Sequence, residues 1–110
     1  MITHEFVLCS QLPKTIRYSD FPKSNLVAIS DDFIVNSHIP FGKVKMHCQY
    51  LGNVICGLAY HGITIIPPDV ATELKKELLG HCQNSHDLNA LMGILEKAIT
   101  NQHYVIHFGV

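Results

Sequence analysis

Between Met46 and Pro68 the chain reads MHCQYLGNVICGLAYHGITIIPP, with no Asp, Glu, Lys or Arg. A stretch so free of charge belongs in the interior or against another surface, and it limits the folds open to the chain. Its most apolar part, Val54 to Ile66, is too short and too interrupted to span a bilayer. What it does show is alternation. Val44, Met46, Cys48 and Tyr50 fall on one side, and Lys45, His47 and Gln49 on the other, the period of a half-buried strand. Gly52-Asn53 reads as a two-residue hairpin turn. On that register Leu51 faces Val54, Tyr50 faces Ile55, Cys48 faces Gly57 and Met46 faces Ala59. One side of the ribbon is then apolar, with a saddle of small residues at Gly57 and Ala59 fit to receive a helix. The other side is mixed and holds Lys45, His47, Gln49, Leu58 and Tyr60.

The flanking segments complete an α+β pattern. Phe6-Val7-Leu8-Cys9 and Leu26-Val27-Ala28-Ile29 read as strands. Phe33-Ile34-Val35 reads as a third strand after a Ser30-Asp31-Asp32 turn. Gln11 to Lys23, framed by Pro13 and Pro22, reads as a loop draped over the core. After Gly62 a strand resumes at Ile63 to Ile66. Pro67-Pro68 ends it, and Asp69 is placed as the cap of a helix that runs through Leu74 and Leu78 to Gly80. A linker His81-Cys82-Gln83 leads to Asn84 or Ser85 as the next cap. Leu88, Leu91, Met92, Leu95, Ala98 and Ile99 form the cleanest helical stripe in the chain. Tyr104, Ile106 and Phe108 alternate with His103, Val105 and His107 in a last strand with a wet face. The sum is one domain over residues 1–110: an antiparallel or mixed sheet of about five to six strands, two helices packed on one face, and a final strand returning as a parallel or edge neighbour.

Composition narrows the function classes. Charged residues are only 15% of the chain against 47% hydrophobic, and the net charge is −1. Without a basic run there is no phosphate-tracking surface, so nucleic acid is not expected as a partner. The opening residues lack the basic flank and apolar core of a secretion signal. With four scattered cysteines that make no disulfide framework, they point to a cytoplasmic protein. Neither a membrane partner nor a cofactor is implied.

Eight histidines raise the question of chemistry. A zinc set assembled from His47 or Cys48, Cys56, His61 and the His81-Cys82-x3-His86 segment lacks any paired ligand spacing. No metal site is therefore expected. Cys48 and Cys56 fall near His47 and His61, but the hairpin geometry buries Cys48 under the helices, where a thiol behaves as a small hydrophobe, and no catalytic thiol is expected. Asp31-Asp32 reads as a turn former rather than a divalent-cation site. His103 and His107 lie on one strand face about 13 Å apart and cannot share one reacting group. No catalytic residue is assigned.

What remains is binding. The expectation is a small protein-binding module, an inhibitor or immunity-type (antitoxin-like) protein that neutralises a partner through Lys45, His47, Gln49, Leu58 and Tyr60. Interface cores favour such a mixture of aromatic and aliphatic residues. A self-associating ligand-binding or regulatory domain is the alternative, with a homodimer formed through an edge strand at His103–Val110. A small histidine-dependent enzyme is the third.

Overall fold

The structure, a computed structural model, describes residues 2–80 and 85–110. Strands β1 (Thr3–Cys9), β2 (Val27–Ser30), β3 (Lys45–Cys48), β4 (Val54–Cys56), β5 (Ile63–Ile66) and β6 (Tyr104–Phe108) make one antiparallel sheet in the order β2-β1-β6-β5-β3-β4. Helices α1 (Asp31–Asn36), α2 (Pro68–Leu79) and α3 (His86–Asn101) complete the fold. Linker residues 81–84, the Asn84 cap option and the His81 and Cys82 ligand candidates lie outside the described residues.

The α+β reading holds, with α2 and α3 packed over one face of the sheet. Their stripes bring Leu74, Leu78, Leu91 and Leu95, all fully buried, onto Phe6, Met46, Ile66 and Val105. Each such side chain contributes about 1.5–3 kcal/mol on burial. The opposite face carries Val7, Ile65, Ile106 and Phe108, and the 11–26 segment covers them with Leu12, Ile16, Phe21 and Leu26. The expected draped loop therefore closes the second face, and Tyr18 meets Phe108 edge-on at 5.2 Å.

Local chemistry sets the helix boundaries. Ser85 caps α3 by accepting from the Leu88 amide at 3.0 Å, and Gln102 ends it in the left-handed region at φ 56°. Pro68, with no amide hydrogen to lose, takes the first turn of α2. The cap position is Pro67, and Asp69 falls inside the first turn instead of capping it.

Four expectations are corrected. Phe33-Ile34-Val35 is helical, because Ser30 is an N-cap: its Oγ accepts from the Phe33 amide at 3.2 Å, and Asp31 and Asp32 occupy the positive end of the turn. The hairpin register is four residues from the expected one, with His47 opposite Val54 and Met46 opposite Ile55. Gln49 adopts φ 69° and Gly52 φ 97°, so the connection is a longer loop closed by the Cys48 amide on the Asn53 carbonyl at 2.8 Å. An even shift keeps the faces, so Met46 still points inward. The returning ladder stops at Cys56. Gly57, at φ 82°, turns the chain away and packs on Gly42, whose Cα lies 3.3 Å from where a Cβ would stand. The small-residue saddle thus receives backbone from the Phe41–Lys43 turn rather than a helix. Finally, β6 is neither parallel nor an edge. It pairs antiparallel with β1 and β5 on its two sides, both its faces are buried over Val105–Phe108, and the sheet edges are β2 and β4. Pairing with a second chain through His103–Val110 is closed by that arrangement.

Candidate functional site

Three places merit description: a buried polar chain, an exposed apolar cluster at one end of the sheet, and a cavity at the other.

The polar chain grows from strand alternation. His4 lies on the same face of β1 as Phe6, His107 on the same face of β6 as Val105, and Thr64 on the same face of β5 as Ile66. All three side chains point under the helices and are fully buried. His4 Nε2 lies 2.9 Å from Asp31 Oδ1, its Nδ1 lies 2.8 Å from His107 Nε2, and His107 Nδ1 lies 3.0 Å from Thr64 Oγ1. Thr64 Oγ1 also accepts from the Ala59 amide at 2.8 Å. With one proton on each ring, donation can run only one way. Thr64 donates to His107, His107 to His4, and His4 to the Asp31 carboxylate, which has nothing to give back. Every buried polar atom of the chain is then satisfied, as a dry interior requires.

The same geometry sets the titration behaviour. Burial, reinforced by the neighbouring His4, lowers the pKa of His107 to about 3. The His4 hydrogen bond, with the Tyr60 hydroxyl second, holds the Asp31 carboxyl below its usual range, and Asp31 in turn raises the Tyr60 phenol. Asp31 is thereby favoured as the ionised acceptor and Tyr60 as the protonated donor of their hydrogen bond. The order hydroxyl, imidazole, imidazole, carboxylate is that of a hydroxyl–imidazole–carboxylate triad with a second imidazole inserted. Yet Thr64 has no exposed surface, and no reacting carbon can approach its oxygen. The arrangement ties β1, β5, β6 and α1 together. Sequence reasoning passed over His4, Thr64 and His107 as a group. Their signal was the alternation of His4 with Phe6 and of His107 with Val105, which places each imidazole on a core face.

The residues expected on one mixed face separate. Lys45 and Gln49 are exposed, and His47 is half-buried, its Nδ1 accepting from the Gly52 amide at 3.0 Å to brace the hairpin loop. Leu58 packs against the helix-side core. Tyr60, 39% exposed, leaves the ribbon for the Asp31 end of the polar chain and stands edge-on to His4 at 5.3 Å. Nor, among the described residues, are the zinc candidates brought together. Cys56 is exposed on β4, His61 Nδ1 bonds the Val110 carbonyl at 3.0 Å, and among the described residues no group of three or more His, Cys, Asp or Glu side chains is placed to hold a metal ion.

The exposed apolar cluster follows from topology. Pairing of Glu5 with Phe108, Phe108 with Ile63, Cys48 with Thr64 and His47 with Val54 puts the start of β1, the end of β6, the start of β5 and the β3–β4 loop at one end of the sheet. Nine large hydrophobic residues are exposed among the described residues, and Ile2, Tyr50, Leu51, Val54, Tyr60 and Val110 all belong to this end. At the opposite end, β2 leaves β1 after Phe6 pairs with Val27, while β1 continues along β6 to Cys9. The gap beside Val7–Ser10, backed by α3, is a cavity of about 640 Å³.

The chain matches no protein-family model, no curated protein and no solved structure. Among the described residues no helix is long and apolar enough to cross a membrane.

Proposed function

We propose that this protein acts by binding another protein through the end of the sheet that carries the β3–β4 loop, with exposed Tyr50, Leu51 and Val54 at its centre. One observation carries the reading: six of the nine exposed large hydrophobics among the described residues lie toward that end of the sheet, with Tyr50, Leu51 and Val54 gathered at the β3–β4 loop beside exposed Gln49. Scattered exposed apolar residues need no explanation, whereas a contiguous group is the mark of a contact surface. Tyrosine with aliphatic neighbours and little charge is the composition of interface centres. A low overall charge of 15% fits a chain part of whose surface is covered in use. The adjacent edge strand β4 offers unpaired backbone groups that a partner can extend. A protein that occupies a partner in this way needs no chemistry of its own. An inhibitory or immunity-type role, exerted on a partner in the cytoplasm, is the form of binding we favour.

The experiment is site-specific photocrosslinking in the source cells. A benzophenone side chain at position 50 or 54 is expected to capture a discrete partner, and one at exposed Lys76 on α2 is not. Tyr50→Glu with Val54→Glu is expected to abolish capture at unchanged melting temperature. Equal capture from position 76, or none from 50 and 54, would remove the reading. Capture of a second copy of the chain would instead identify a homodimer formed at this end.

A further inference from the structure

We infer that the cavity between β1 and α3 is a binding site for a small amphipathic organic anion, a carboxylate carried on an apolar body. The recess has the volume of a small-molecule site, about 640 Å³, within the roughly 300–1,000 Å³ such sites occupy. It is built by the fold: β2 stops where β1 continues, so α3 and the outer edge of β1 form two walls with no strand between them. Leu8, Val27 and Ile94 supply apolar lining, and Lys97 and His103 supply polar ends. No Asp or Glu lines it, and among the described residues Lys97 makes no ion pair; the neighbouring Glu96 pairs with Lys75 instead. A pocket with a free ammonium, an imidazole and no carboxylate selects an anion.

A second observation concerns the wall itself. Gly93 sits in the interior of α3, where glycine weakens a helix relative to alanine. Helix packing supplies no reason for it, since a Cβ there would meet nothing within 4 Å. The open space is the cavity. A side chain at 93 would project into it, so glycine preserves volume that a ligand can fill. The site lies at the opposite end of the sheet from Tyr50 and Tyr60, so it stands apart from the protein-binding surface proposed above.

The test uses the folded full chain, isotope-labelled, titrated with 4-phenylbutyrate and separately with 4-phenylbutylamine and 4-phenylbutanol, each to about 10 mM, ten-fold above the ~1 mM constant of a weak ligand. Saturable amide shifts centred on Leu8, Ala90, Gly93 and Ile94 are expected for the carboxylate, with the alcohol weaker and the amine weakest. Gly93→Leu, whose Cβ starts in open space, is expected to abolish the shifts while the melting temperature stays equal or rises. Lys97→Gln is expected to weaken the carboxylate about three-fold or more and leave the alcohol unchanged. The inference fails if no saturable shifts appear at these amides, if the amine binds as well as the carboxylate, or if Gly93→Leu binds like the parent.

Discussion

Replacing His107 by Gln is expected to flatten the loss of stability on mild acidification, and the size of the effect follows from the buried chain. In the unfolded protein this histidine titrates near its ordinary value of 6.5, whereas in the fold its pKa is lowered to about 3. Between those values the unfolded chain holds a proton that the native one does not, so stability falls as the pH falls. From about pH 7.5 to pH 5 the loss assignable to His107 is about 2 kcal/mol, at 1.36 kcal/mol per pH unit below 6.5. For a domain of this size that is roughly 8 °C in melting temperature. Asp31, with its lowered pKa, contributes in the same direction but only below its unfolded value of 3.8, outside this window. Glutamine cannot titrate, yet its amide can reach toward His4 as Nε2 does. Urea denaturation of parent and His107→Gln at both pH values checks this. The variant starts lower at pH 7.5 because Thr64 loses its acceptor, but it is expected to lose about 2 kcal/mol less than the parent on going to pH 5. Parallel losses in the two proteins would refute the claim that His107 is held neutral by burial.

Other substitutions test the packing. Gly109→Ala drives a Cβ into the Tyr60 carbonyl and to within 2.8 Å of the Ala59 carbonyl, displacing the turn that backs Thr64; a loss of about 3 kcal/mol in urea denaturation is expected. Ser30→Ala removes both the cap of α1 and the hydroxyl that donates to Asp87 Oδ2 at 2.8 Å, and about 1–2 kcal/mol is expected by the same measurement. Tyr18→Phe deletes an exposed hydroxyl that donates to Glu5 but keeps the ring on Phe108, so its melting curve is expected to match the parent within about 0.5 kcal/mol.

The elements easiest to read were those whose pattern is long and local. The α3 stripe and the Val44–Cys48 alternation each repeat often enough to fix which side chains turn inward, and the structure keeps those faces. Phe33-Ile34-Val35 misled because three β-branched or aromatic residues favour a strand, while a single serine cap and two acidic residues outweigh that preference. The hairpin register was lost to Gln49, a non-glycine residue in the left-handed region that nothing in its type announces. The place of β6 depended on which strands flank it, a matter of long-range packing that periodicity does not record. Of the expected contact residues, Lys45 and Gln49 lie exposed on or beside the ribbon as read, while Leu58 and Tyr60 depart from it because Gly57 ends the ladder. The His4–His107 pair joins residues 103 positions apart and was legible only as two inward-facing positions.

The position of β6 bears on how the chain comes to be folded. Strands β1 and β2 form one hairpin-like unit and β3, β4 and β5 another, and the two share no ladder except through β6. A ribosome making this chain therefore completes five strands and both long helices before the strand that joins them exists. Until then the facing edges of β1 and β5 are unpaired, and the imidazole of His4 lacks its buried partner. The ladders that join the two units through β6 pair residues distant in sequence, the class of contact that forms slowly. During that interval the open edges are the segments most exposed to pairing with another nascent copy.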